Sequence, residues 1–144
     1  MTKTYLHLLV FGGLSWLFSF SSISYARDSR VKVEQLLQTT HSWDGTPYTG
    51  YVSGQPEITI LKIAIPPNTA LDWHQHPMIN AAYVLSGQIT LEIKETGKRM
   101  VFHSGQALAE CVNKVHRGFT TDQPVELIVF YAGAPGLPLS IKAN

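Results

Sequence analysis

The chain has 144 residues, 15% of them charged and 44% hydrophobic, with 11 Lys and Arg set against 10 Asp and Glu. That is one domain's worth of globular sequence. It is too apolar to be disordered and too evenly charged to make nucleic acid its main partner, which would need a clear basic excess. A single cysteine, Cys111, excludes an internal disulfide framework and any multi-cysteine zinc site.

Residues 1–26 have the three-part layout of a secretory signal peptide. Lys3 gives a positive start, Leu8 to Phe20 is uncharged, and Ser24 and Ala26 supply small residues before the expected cut. As a helix the uncharged run spans roughly 20 Å, short of the ~30 Å hydrocarbon core of a bilayer. The expectation is therefore cleavage near Ala26, leaving residues 27–144 as one exported domain, periplasmic or secreted, with no stable membrane anchor. An oxidising compartment also fits the lone cysteine.

A short helical turn is predicted at Val31–Gln38, after which period-two patterns take over. Ile58–Ile65 and Val125–Tyr131 are nearly continuous apolar runs, the composition of strands covered on both faces. Ile89, Leu91 and Ile93 alternate with Thr90, Glu92 and Lys94, as in a strand with one wet face. Glu95-Thr96-Gly97-Lys98 then supplies a hairpin turn, with Arg99–His103 as the returning strand. Turn residues recur at Gly54-Gln55-Pro56, Pro66-Pro67-Asn68, Gly87, Ser104-Gly105 and Asp122-Gln123-Pro124. Many short strands at this spacing predict an all-β sandwich or barrel of the jelly-roll kind, with little helix apart from the signal segment. The tail Ala132–Asn144 is expected to wrap the outside.

The chemistry concentrates in three histidines. His74 and His76 lie one residue apart, so on an extended strand both rings point to one face and can chelate one ion. His116, at the start of a later predicted strand, can close a third corner. His41 lies in a polar stretch and His103 beside Ser104, and both are expected at the surface. Parity turns Trp73 and Tyr83 away from His74 and Asn80, toward sheet packing or a dimer contact.

Asn68, His74, His76, Asn80 and Gly87 fall at the spacing Gly-x5-His-x-His-x3-Glu-x6-Gly. Gly105, Cys111, Asn113, His116 and Thr120 fall at the spacing Gly-x5-Pro-x-Gly-x2-His-x3-Asn. These are the two half-motifs of the cupins, and over about residues 48–132 the chain resembles small single-domain bacterial cupins. The resemblance implies a jelly-roll barrel, the double-stranded β-helix, holding a divalent transition metal: iron, manganese, nickel, copper or zinc. In the family three histidines and one glutamate hold that ion. Carried over, the histidines are His74, His76 and His116, but the glutamate position is Asn80, whose amide oxygen is a neutral, weak ligand.

Three arrangements follow from that departure: a three-histidine site with open positions, as in the thiol-dioxygenase branch of the cupins; Glu110 as fourth ligand or general base; or no metal. The three-histidine site is the leading expectation. Asn68 in place of the motif glycine suits a left-handed backbone, whereas Cys111 and Asn113 change the chemistry of the second motif's turn. Cys111 is expected to be a buried small hydrophobe. The expected function is a metal-dependent enzyme of dioxygenase or isomerase type acting on a small molecule. The alternative is a non-catalytic metal- or ligand-binding protein with a degenerate site. An exposed sheet edge favours covering, so a homodimer is also expected.

Overall fold

In the computed structural model residues 31–143 are described, and the chain divides into two units, 1–33 and 34–144. The second unit carries the fold; the expected signal peptide lies outside the described residues. Nine strands form it: β1 (Glu57–Ile65), β2 (His74–Gln75), β3 (Asn80–Ser86), β4 (Gln88–Ile93), β5 (Arg99–His103), β6 (Ala107–Ala109), β7 (His116–Phe119), β8 (Val125–Gly133) and β9 (Ile141–Lys142). They pair into a four-stranded sheet in the order β1-β8-β3-β6 and a five-stranded one in the order β5-β4-β7-β2-β9. All strand pairs are antiparallel. No helix occurs among the described residues.

Alternation places the core. On the first sheet Ile63 and Ile65 of β1, Ala82 and Val84 of β3, and Leu127, Val129 and Tyr131 of β8 face inward. Ile89, Leu91 and Ile93 of β4 answer them from the second sheet. The predicted β4–β5 hairpin forms as expected, with Gly97 at φ 67° in its turn. Gly87, between β3 and β4, sits at φ 74°, and a Cβ there would lie 2.0 Å from the Pro124 carbonyl oxygen. Gly97 has open space around it. Gly87→Ala is therefore expected to cost at least about 2 kcal/mol more than Gly97→Ala, the excess being the clash with backbone rather than the left-handed dihedral alone. Urea denaturation of the two variants checks this; equal midpoints would remove the clash argument.

Asn68 and Asn113 adopt φ 52° and 53°, so asparagine fills both left-handed positions where the cupin motifs carry glycine. Thr120, in place of the motif's last asparagine, is buried. Its hydroxyl donates to the Pro66 carbonyl and accepts from the Thr69 amide, which pins the β1–β2 loop to the end of β7.

Four expectations need correction. Val31–Gln38 is not helical; eight residues are too few to offset helix nucleation without a packed face. The run of β1 is covered on one face only, Ile58 being 65% exposed and Ile60 61%, whereas on β8 Ile128 is half-buried and lines a surface hollow with Leu36 and Leu37. The tail does not merely wrap the outside, since β9 pairs with β2 and its approach reaches the interior histidines. Finally, the two sheets do not close into a barrel. β6 has three residues and β9 two, too few backbone groups to carry a ladder around either side. A single bridge, His76 with Val112, links the extensions of β2 and β6.

Candidate metal centre

Register brings the three histidines together. His74 of β2 pairs directly with His116 of β7, which also pairs with Ile93 of β4. His76 lies two residues beyond His74 and faces the same way. The ring centroids are 4.7–5.1 Å apart, and one ligand atom from each ring lies within 4.8 Å of the others.

Each ring is held by its Nδ1 against a backbone carbonyl. His74 contacts Asp72 O at 2.8 Å, His76 contacts Leu139 O at 2.6 Å and His116 contacts Lys114 O at 2.8 Å. A carbonyl oxygen only accepts, so Nδ1 must carry the proton in all three, and each neutral ring keeps its lone pair on Nε2. This is the arrangement that orients metal-ligating histidines from behind. Burial lowers the pKa of all three, His76 to about 4, against the raising effect of those carbonyl hydrogen bonds. The neutral, metal-competent form is thus the resting form at neutral pH. The buried Nε2 of His116 has no hydrogen-bond partner. An orphaned lone pair of this kind is costly in a protein interior and is what a cation would satisfy, so the donor set fits a divalent metal.

Glu110 follows β6 and its side chain is 12% exposed. One carboxylate oxygen, Oε2, lies 3.4 Å from His116 Nε2 and is itself unpartnered. Burial raises the carboxyl to about 7, against the lowering influence of His74, the Trp43 indole and the Cys111 amide. Asn80 is wholly buried, and neither atom of its amide has a partner. Cys111 is a buried free thiol pushed up to about 12, chiefly by burial, and so is inert packing rather than a thiolate ligand. His41 and His103 are exposed, as expected, and take no part. Trp73 stacks on the outer face under Arg117, 4.3 Å from the ring centroid, and Tyr83 also faces outward.

Two cavities meet at the histidines. An inner one of about 60 Å³, room for a few water-sized molecules, is lined by Ile65, Ile89, Leu91, Val129, Glu110 and His116 among others. An outer one of about 510 Å³ opens beyond His74 and His76 between Leu61, Leu71, Tyr131, Leu139 and the Asp72–Lys142 ion pair. Ile63, Leu71, His74, His76 and Tyr131 border both. Sequence reasoning missed Tyr131 and Leu139. Tyr131 had a usable signal, the inward parity it shares with Leu127 and Val129. Leu139 acts through its carbonyl, which no side-chain motif records.

Among known proteins, the family profile described as "Cupin domain" matches residues 61–131. No curated protein matches the chain. Solved structures share its fold, among them the following three. DMSP lyase DddQ from Ruegeria pomeroyi DSS-3 has a TM-score of 0.54 and 17% identity, over 69% of this chain and 47% of that one. Polyketide cyclase RemF from Streptomyces resistomycificus has a TM-score of 0.53 and 19% identity, over 60% and 61%. The oxalate decarboxylase of Lactobacillus farciminis, in its formate complex, has a TM-score of 0.51 and 16% identity, over 59% and 26%. The chain spans under half the length of the DMSP lyases it matches. The paired half-motifs, the two antiparallel sheets, the profile match and these shared folds lead to one conclusion: the chain belongs to the cupins.

Proposed function

We propose that this cupin binds one divalent transition metal through the Nε2 atoms of His74, His76 and His116 and acts there on a small molecule. The observation that carries the reading is the common tautomer: three Nδ1 protons spent on backbone carbonyls and three lone pairs left for the interior. When bound, the metal supplies Lewis-acid or electron-transfer chemistry of the dioxygenase or isomerase kind. The chain's own residues orient the rings through backbone carbonyls and wall much of the inner cavity with aliphatic side chains. Outside it they shape an apolar vestibule of a size suited to a small organic molecule. A lyase, a cyclase and a decarboxylase built on the same fold support a small-molecule pocket on this scaffold and leave the reaction open. The signal-like layout of residues 1–26 supports export, and the exposed Ile58 and Ile60 on edge strand β1 support self-association.

The test is elemental analysis of protein purified without chelators, beside a His74→Ala/His76→Ala variant. The expected result is near-stoichiometric iron, manganese, nickel, copper or zinc in the wild type and its loss in the variant. Absence of metal from both, even after reconstitution under reducing conditions, would favour a non-catalytic cupin with a degenerate site.

A further inference from the structure

We infer that Glu110 is the fourth, anionic ligand of this centre, delivered from the strand beside the one on which the cupin motif places its glutamate. The inference rests on the three-histidine reading and adds to it. Its first support is register. β3 and β6 run antiparallel with Ala81 opposite Ala109, and the next pair outward is Asn80 opposite Glu110, whose amide donates to the Asn80 carbonyl at 3.0 Å. Residues opposite each other in an antiparallel pair project from the same face. A carboxylate at position 110 therefore enters the interior one strand over from where one at position 80 would.

The second support is the contact with His116. Its Nδ1 donates to Lys114 O, so the Nε2 that faces Glu110 presents a lone pair. Oε2 of an ionised Glu110 presents another, 3.4 Å away, and neither atom has any other partner. Two facing lone pairs repel unless something positive lies between them. Donors sharing one ion at about 2.0–2.2 Å each are themselves about 3.0–3.5 Å apart, which is the separation found here. Asn80 offers no comparable contact, and its amide is uncharged.

The third support is direction. Glu110 lines the inner cavity and is absent from the walls of the outer one, whereas the partly buried His74 and the buried His76 border both. A carboxylate bound from inside leaves the coordination positions facing the vestibule free for an incoming molecule. The site thus regains a three-histidine, one-carboxylate donor set without a glutamate in the first motif.

The experiment titrates the protein with Co²⁺, reading the dissociation constant by chelator competition and the ligand-field absorption spectrum of the bound ion. Outer partners of metal ligands typically change affinity ~10–100-fold, so loss of a direct ligand in Glu110→Gln should weaken Co²⁺ binding about 100-fold or more. It should also change the spectrum. In the Asn80→Glu/Glu110→Gln double variant the carboxylate returns from across the strand pair, and both readouts should recover substantially. Should that variant not fold, Glu110→Asp, which keeps the charge on a shorter arm, should retain more affinity than Glu110→Gln. Wild-type affinity and spectrum in Glu110→Gln would overturn the inference and leave the three-histidine reading standing, provided His116→Ala still loses Co²⁺. Weaker binding with an unchanged spectrum would also overturn it, making Glu110 a positioning residue. No Co²⁺ binding by the wild type would remove both readings together.

Discussion

Glu110→Gln is expected to stabilise the metal-free protein by about 3 kcal/mol near pH 8, and to change it little at about pH 4.5. Burial raises the folded-state pKa of Glu110 from 4.5 to about 7, so between those values the folded chain holds a proton that the unfolded chain has released. Stability from this group is fully present below 4.5 and lost as pH rises through about 7. The amide has nearly the shape of the neutral acid and cannot ionise, so the variant escapes that loss. The three histidines work in the opposite direction. Their pKa values are lowered by burial, the unfolded chain binds more protons below 6.5, and stability falls as pH drops from there toward the folded values, about 4 for His76.

Metal-free wild type should therefore fall progressively below Glu110→Gln in stability as pH rises from 4.5 through about 7, the gap levelling off near pH 8. Urea denaturation of chelator-treated protein across the pH range checks this, and two parallel curves would sink it. Bound metal should reverse the order near pH 8, because ligand binding stabilises by RT ln(1 + [L]/Kd) and the wild type is expected to bind more tightly. A residue that destabilises the empty fold and is repaid only on loading is what a ligand predicts and a structural carboxylate does not.

Much of this was legible in the sequence because it is written in periods and spacings. The alternation at Ile89–Ile93 gave β4, the turn at Glu95–Lys98 gave the hairpin, and β5 came out as Arg99–His103. The spacing of His74, His76 and His116 named a trio that the fold brings within bonding reach of one ion. What stayed hidden depends on register and on main-chain atoms. Nothing in the order of residues says that Asn80 and Glu110 lie opposite each other; that follows from how β3 and β6 align. Nothing marks the Leu139 carbonyl as the group that orients His76. The apolar run of β1 was read as covered on both faces, since composition cannot distinguish a buried outer face from a bare one. Val33, Leu36 and Leu37 have helical spacing, but the segment is too short for spacing to decide its structure.

Lys114→Met is the second large expected effect, a loss of about 3 kcal/mol at neutral pH, and it concerns a cluster that no motif signalled. Asp44, 6% exposed, sits in the turn from His41 to Pro47 that covers the edge of β6, where the Trp43 amide donates to the Ala109 carbonyl. Burial alone would raise its carboxyl. Hydrogen bonds from Lys114, Ser42 and Thr46 prevail and hold it well below the usual carboxylate range, while the Asp44 partner raises Lys114. Seventy residues separate the two in sequence.

Removing the ammonium leaves a buried carboxylate with two hydroxyls and an amide for company. That costs more than the pair was worth, because the remaining charge is still desolvated. Asp44→Asn/Lys114→Met, which removes both charges together, should recover most of the loss, and urea denaturation of all four members of the cycle measures the coupling. If the double variant is as unstable as Lys114→Met alone, packing by the lysine stem rather than charge pairing carries the effect. The cluster also bears on the metal centre. Tyr48, just past the turn, donates to the Glu110 carbonyl at 2.6 Å, and Trp43 within it packs beside Glu110. Lys114→Met should thus weaken Co²⁺ binding as well, by less than Glu110→Gln does, because it loosens the strand that carries the carboxylate while leaving the carboxylate in place.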